Sequence, residues 1–339
     1  MKRNIKALDI EEIKRVVEDM GLEPYRASQI FKWIWDKGIE DFSEMTDIKK
    51  SVREELAENF SIKGLEPVKV KSSKDGARKF LFRLEDGNLI ETVYIPDGKR
   101  DTVCVSTQVG CPLKCKICYT GKKGFKRNLK FYEIADQVVK VKKLLGKGIT
   151  NVVLMGMGEP LLNYDESLRA IKIINSQIGI GARKITLSTA GVIPEIYRLS
   201  DFPLQIKLAV SLNATDDSTR DMLMPINRRY PLKELLKAVR FFTQKRRKRV
   251  TFEYVVIKGI NDRREDIERL PELLSGIPCK INLIPFNPFP GTRFKPPSKK
   301  GLSRLLKSWY PRLPCITIRD SKGSDILAGC GQLAGDGIH

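Results

Sequence analysis

The sequence predicts an α/β protein: a partial (β/α)6-type barrel behind a small N-terminal helical domain. Three observations carry this. From residue 102 onward, short apolar runs alternate with amphipathic stretches of helical period. Repeated βα units of that kind give a parallel sheet covered by helices. Residues 1–62 hold helical runs only. Small and polar residues follow the strand candidates directly, at the strand ends where barrels carry their chemistry.

In chain order, Asp9 and Glu12 form a D-x-x-E capping pattern before a helical run over 10–20, which Gly21 ends. A second run, 26–36, carries Ile30, Phe31, Trp33, Ile34 and Trp35, and a third spans about 48–59. The aromatic cluster reads as the core of this domain; an RNA-stacking surface is the sharper alternative. Residues 63–100 form a β-hairpin linker region, with strands over 79–84 and 89–95 joined at Asp86-Gly87. The barrel occupies 101–339. Its strand candidates are 102–106, 151–155, 184–188, 206–212, 250–256, 280–285 and 315–319. Its helix candidates include 131–145, 164–177, 231–244, 264–274 and 301–310. About six units make an open barrel rather than a closed eight-stranded one.

With 339 residues and 41% hydrophobic content, the chain can bury one large core plus an appendage. Sixty-two Lys and Arg against 41 Asp and Glu give a net charge of +21. That excess points to a polyanion, nucleic acid first and an anionic membrane second. No apolar run is long enough to span a bilayer, and MKRNIKALDIEEI lacks the apolar segment of a signal peptide. The expected compartment is the cytoplasm, where thiols stay reduced and a cysteine cluster binds metal rather than pairing as disulfides.

Cys111, Cys115 and Cys118 fit C-x3-C-x2-C. Three thiolates leave one iron of a cubane cluster without a protein ligand, unlike four-cysteine ferredoxin sites. An open iron can bind and reduce a small molecule, usually S-adenosylmethionine. The alternatives are a zinc site or three unrelated core thiols. Zinc usually takes four Cys or His ligands, and the single histidine, His339, is the last residue and matches nothing catalytic.

Longer stretches carry a resemblance: ETVYIP (91–96), CVSTQVGC (104–111), GFKRNL (124–129), GMGEPLLN (156–163), LSTAG (187–191), SLNA (211–214), NLIPFNP (282–288) and CGQLAGD (330–336). In this order they resemble the radical S-adenosylmethionine enzymes, and within them the dual-specificity RNA methyltransferases that act on C2 of adenine. One departure is Ile117, where the family usually has an aromatic residue; Tyr119 follows the last cluster cysteine.

The resemblance implies a radical S-adenosylmethionine barrel and a [4Fe–4S] cluster on Cys111, Cys115 and Cys118. It implies S-adenosylmethionine contacts from Gly158, Glu159, Ser188, Ser211, Leu212, Asn213 and Asn287. It also implies two S-adenosylmethionine molecules per turnover. Cys330 takes a methyl from one; reductive cleavage of the other gives a 5′-deoxyadenosyl radical that abstracts a hydrogen from the S-methyl. The methylene radical adds to C2, Glu91 handles the C2 proton, and Cys104 attacks the Cys330 sulfur to release the product. Implied partners are 23S ribosomal RNA and tRNA, with an electron donor such as flavodoxin or ferredoxin and no membrane, for a chain acting as a monomer. The N-terminal domain is implied to help hold RNA. A relative conferring antibiotic resistance by methylating C8 is the alternative within enzymes. A non-catalytic iron–sulfur RNA-binding protein is the alternative of another class.

Among the remaining features, Cys279 and Cys315 read as buried small hydrophobes. Lys122, Lys123, Lys126 and Arg127 flank the cysteine loop and can meet phosphates. The KRRKR run at 245–249 falls on the opposite rim, with a solvated face as its default.

Overall fold

The computed structural model describes residues 2–313 and 315–335. His339, and Asp336 at the end of the CGQLAGD stretch, lie outside the described residues.

The N-terminal domain begins with β1 (Arg3–Asn4), which pairs in parallel with β2 (Phe60–Ser61). Between them, α1 (Ile10–Asp19) starts on the expected capping box: the Glu12 N–H donates to Asp9 Oδ1, and the Asp9 N–H to Glu12 Oε2, both at 2.9 Å. The run expected over 26–36 divides. α2 (Tyr25–Lys32) passes into a wider π turn, Trp33–Lys37, which closes on Gly38 at φ 65°. Phe31 and Trp35 are buried and pack edge to face at 6.3 Å, while the Trp33 indole N–H donates to Asp47. The aromatic cluster is therefore core. α3 (Lys50–Asn59) completes the domain.

The sheet has ten strands in the order β14-β13-β12-β11-β10-β9-β6-β5-β4-β3. The segment 63–100 belongs to it: β3 (Glu66–Ser72), β4 (Arg78–Arg83) and β5 (Leu89–Asp97) are antiparallel strands on one edge. β3 alternates Val68 and Val70 with Lys69 and Lys71, but at the sheet edge both valines stay exposed, so no buried face marks it. β5 pairs antiparallel with β6 (Arg100–Cys104), the first barrel strand.

Within this sheet all pairings beyond β6 are parallel: β9 (Asn151–Leu154), β10 (Ile185–Thr189), β11 (Lys207–Ser211), β12 (Val250–Val256), β13 (Cys279–Pro285) and β14 (Ile316–Ile318). The crossovers are α5 (Phe131–Leu145), α6 (Tyr164–Ser176), α7 (Ile193–Leu199), α9 (Leu232–Arg246), α10 (Arg264–Leu273) and α11 (Lys299–Trp309). These make the six expected units, with β14 closing the last, and the barrel stays open between β3 and β14. A short ribbon, β7 (Gln108–Gly110) with β8 (Phe125–Asn128), and α4 (Tyr119–Lys123) frame the cysteine loop. A further short helix, α8 (Asp217–Leu223), follows β11.

Buried charge fixes the N-terminal domain on the barrel. Lys6 Nζ lies 2.6 Å from Asp136 Oδ1 on α5, with both side chains at most 2% exposed, and the Leu65 N–H donates to Asp136 Oδ2 at 2.7 Å. Among the described residues, no helix is long and apolar enough to cross a membrane.

Candidate active site at the strand ends

The GMGEP turn after β9 needs its glycines. Gly158 has φ 101°, and a Cβ there would lie 2.6 Å from the Gln108 side chain; one at Gly156 would lie 2.7 Å from the Val105 backbone. Glu159 is buried by this close packing. Its Oε1 accepts the Leu161 N–H at 3.1 Å and its Oε2 the Ala190 N–H at 2.7 Å, which ties the β9 turn to the end of β10. Burial pushes the Glu159 carboxyl up to about 7, against the pull of those amides. With Leu161, Ala190 and Thr189 donating to it, the carboxylate keeps one acceptor site for a ligand donor.

Ser188 and Ser211 sit half-buried at the ends of β10 and β11. Leu212 is buried behind them. Asn213 takes a left-handed conformation at φ 59°, which Asn tolerates better than most residues. Its Oδ1 accepts the Val255 N–H at 2.8 Å, so it braces the ends of β11 and β12 together.

The cysteine loop leaves the β7–β8 ribbon, where the Cys111 N–H donates to Gly124 O at 2.8 Å. Cys111 is buried, and Cys115 and Cys118 are half-buried. Burial pushes the Cys111 thiol up to about 12 and Cys115 well above its ordinary value, and the neighbouring sulfurs add to both shifts. Thiolates held this closely need a cation to stay ionised. Among the described residues, no three His, Cys, Asp or Glu groups are spaced to hold one metal ion. In a cubane cluster each thiolate binds its own iron, so three thiols on one loop fit that group.

Cys104 ends β6, and Cys330 lies on the loop after β14; the Cys330 sulfur is close enough to raise the Cys104 thiol. Cys104 is buried, and burial pushes its thiol up to about 12. Cys330 is exposed by surface area, yet the barrel wall crowds it and desolvation pushes its thiol up to about 11. The Cys330 loop is fastened from two sides. The Asn287 amide donates to Cys330 O at 3.1 Å and to Ser321 Oγ at 2.8 Å, and Gln332 Nε2 donates to Pro288 O at 2.7 Å. From the cysteine-loop side, the Tyr119 N–H donates to Gly331 O at 2.7 Å and Thr120 Oγ1 to Leu333 O at 2.7 Å. Tyr119 also stacks on Phe289 at 5.3 Å, beside the buried Ile117. Glu91, on β5, is buried, pairs with Lys79 and accepts the Ala334 and Gly335 N–H groups.

Sequence reasoning misses three charged residues here. Arg220, on α8, is fully buried: it donates to Leu212 O, Asn227 Oδ1, Ala190 O and Ser211 O, crossing from β10 to β11 behind the serines. Burial holds this guanidinium down to about 10. An arginine in a short amphipathic helix reads as surface, so no pattern announces it. Glu253 and Arg319 lie beneath the thiol pair. Arg319 pulls both thiols down against their desolvation, and it does the same to Glu253. Glu253 accepts from Asn282 at 2.9 Å through Oε1, while its buried Oε2 has no partner. A lone carboxylate within the apolar run VTFEYVV was the available signal.

The cations differ in what they do. Arg127 donates to Asp86 at 2.5 Å and to both Glu133 oxygens at 2.8 Å, which makes it a structural tie. Lys126 Nζ reaches Asn88, and Lys122 Nζ reaches Gly291 O over the Phe289 ring. In the 245–249 run, Lys245 pairs with Asp201, Arg246 donates to Phe202 O and Leu204 O, and Arg249 donates to the Cys315 sulfur. That run precedes β12, at the end of the barrel away from Cys104 and Cys330.

The comparisons with known proteins agree with this geometry. Residues 105–271 match the radical SAM superfamily, and residues 3–62 match the ribosomal RNA large subunit methyltransferase N-terminal domain. A Dual-specificity RNA methyltransferase RlmN of Syntrophus aciditrophicus is 47% identical, over 99% of this chain and 97% of its own length. Another, from Pelobacter propionicus, is 46% identical over 98% of this chain and 96% of its own. The crystal structure of a radical SAM methyltransferase from Sphaerobacter thermophilus superimposes with a TM-score of 0.93 at 42% identity, covering 98% of this chain and all of that one. Membership of this superfamily carries a [4Fe–4S] cluster and S-adenosylmethionine as cofactors. The chain thus belongs to the dual-specificity RNA methyltransferases of the radical S-adenosylmethionine superfamily.

Proposed function

We propose that this chain methylates C2 of adenosine in both 23S ribosomal RNA and tRNA, through a methyl carried on Cys330. The observation that supports the reading best is the company Cys330 keeps. Its loop is fastened to α4, directly after Cys118, and its sulfur is an electrostatic neighbour of Cys104. Cys111, Cys115 and Cys118 would hold the cluster, and Gly158, Glu159, Ser188, Ser211, Leu212, Asn213 and Asn287 would line the S-adenosylmethionine site. When bound, these groups supply a methyl and a reducing electron, and two S-adenosylmethionine molecules are used per turnover.

The chain's own residues divide the remaining work. Asn287 holds the Cys330 backbone, so the sulfur keeps its place between β6 and the cysteine loop. Arg319 opposes the desolvation of both thiols and so favours the thiolate that accepts a methyl. Glu91 receives the C2 proton, and Cys104 resolves the Cys330–RNA bond by forming a disulfide. The net charge of +21 draws RNA to the barrel mouth. The reading includes the cytoplasm, a monomer, and a flavodoxin or ferredoxin as electron donor.

The test is anaerobic reconstitution, followed by incubation with each purified RNA and mass spectrometry of the nuclease digest. The expected product is 2-methyladenosine in both RNAs. 8-Methyladenosine would make the chain a C8 enzyme, and no S-adenosylmethionine cleavage after reduction would make it a binding protein.

A further inference from the structure

The Lys79–Glu91 pair uses a buried charge for a purpose that the proton-handling role of Glu91 does not explain. Leu81 and Glu91 face each other across β4 and β5, as do Lys79 and Val93, so Lys79 and Glu91 are diagonal neighbours on one face. Lys79 Nζ lies 2.9 Å from Glu91 Oε1, with side chains 8% and 3% exposed. Both groups reach onward to the loop that carries Cys330. Lys79 Nζ donates to Leu327 O at 3.1 Å, before the cysteine. Glu91 Oε2 accepts the Ala334 N–H at 2.7 Å and the Gly335 N–H at 3.1 Å, after it. The loop passes so close to β5 that a Cβ at Gly335, where φ is 73°, would sit 3.0 Å from Leu89 O.

We propose that Lys79 is a positioning residue, which with Glu91 forms a clasp closing both ends of the 327–335 loop, so that Glu91 is released to a substrate only when that loop moves. With the loop seated, Oε1 belongs to Lys79 and Oε2 to two amides. Both oxygens then face Lys79 and the loop rather than a substrate. Movement of the loop frees Oε2 and shifts Cys330 in the same step. The base and the methyl-carrying thiol are therefore coupled mechanically. The clasp stands on geometry alone; its catalytic meaning rests on the assignment of Glu91 to the C2 proton.

The experiment uses the reconstituted full chain without RNA or turnover, so it is independent of that assignment. Hydrogen exchange at the Ala334 and Gly335 amides is followed together with iodoacetamide modification of Cys330, resolved by peptide mass spectrometry. Lys79→Met and Glu91→Gln should each speed exchange at 334–335 and modification of Cys330 by about tenfold or more. Exchange in α1 and α6 should stay unchanged. Lys79→Arg, which keeps a cation within reach of Glu91 and Leu327, should restore slow exchange, a rescue that mere loss of packing would not give. Unchanged exchange and modification in Glu91→Gln, which keeps the shape of the side chain, would overturn the clasp. So would a Lys79→Arg chain as fast as Lys79→Met.

Discussion

Two pairs of thiols sit at opposite ends of the parallel strands of one sheet. Cys104 and Cys330 meet at the C-terminal ends of the strands, while Cys279 and Cys315 meet where β13 and β14 begin. In both pairs one sulfur raises the other: Cys330 acts on Cys104, and Cys315 on Cys279. Burial pushes Cys279 up to about 11, with Cys315 adding to the shift, which is close to the values of the upper pair. Both lower cysteines are half-buried rather than buried, and Cys315 accepts from Arg249. Proximity and a raised thiol therefore do not separate the pairs. Their surroundings do. The upper pair has a glycine-built turn, a crossing arginine, a fastened loop and three more thiols around it. The lower pair has strand starts and a charge run tied to its neighbours. Chemistry follows the strand ends, where loops can be shaped without disturbing the sheet.

Removing what sets the upper end apart gives the largest expected effect. Replacing Cys111, Cys115 or Cys118 by Ala should abolish bound iron, its charge-transfer absorption, and S-adenosylmethionine cleavage. Normal iron content in such a variant would remove the cluster from this loop. Next come the two upper thiols themselves, whose proposed roles fall at different times. Cys330→Ala should carry no protein-bound methyl and never couple to RNA. Cys104→Ala should accept the methyl, add to adenine and stall as a covalent adduct that survives denaturation and disappears on nuclease digestion. The adduct appearing with Cys330→Ala instead would reverse the assignment.

Arg220 tests whether the upper end is also a structural investment. Arg220→Met would leave carbonyls of Ala190, Ser211 and Leu212 without this donor in a buried site. Unsatisfied buried acceptors cost ~1–3 kcal/mol each, so a loss of about 3 kcal/mol in denaturant unfolding is expected, with S-adenosylmethionine affinity falling as β10 and β11 separate. Stability within about 0.5 kcal/mol of the parent would mean that water replaces the guanidinium.

Much of this contrast was readable in advance. Periodicity over 131–145 and 250–256 gave α5 and β12 with the same bounds, and the turn motifs fell at strand ends. What escaped had a weak local signature or none. β3 offers only a short alternation of Val68 and Val70 with lysines, both valines exposed at the sheet edge. Arg220 and Arg319 acquire meaning only from contacts far away in sequence. Arg127, in a basic stretch that reads as a phosphate contact, is occupied by Asp86 and Glu133. Composition reports charge, but pairing depends on the fold. The ETVYIP motif singles out Glu91 as a candidate, whereas its tie to Ala334 spans 243 positions.

The pH response sharpens the comparison. Desolvation raises Cys330 to about 11, so its neutral form persists well above neutral pH, and Arg319 limits the rise. The thiolate is the nucleophile, so iodoacetamide modification of Cys330 should climb about tenfold per pH unit from pH 8 to pH 10. No plateau should appear near 9, where an unfolded control levels off. Arg319→Met should move the curve to still higher pH. A plateau near pH 9 in the folded chain would mean that the wall around Cys330 does not desolvate it.

The smallest effect belongs to the lower pair, and it is the decisive control. Cys279→Ala and Cys315→Ala remove sulfurs that neither face the site nor touch the fastened loop. Each is half-buried, so little apolar area returns to water, and about 1 kcal/mol or less of stability should be lost. Cys315→Ala also releases the 3.4 Å contact from Arg249, but a long sulfur acceptor contributes little. The double variant should bind iron and methylate RNA at parental rates, and adding Cys104→Ala to it should still give the covalent adduct. If it lost methylation while remaining folded with full iron, the two thiol pairs would be linked through the length of β13 and β14. The division of this barrel into a chemical end and a structural end would then fail.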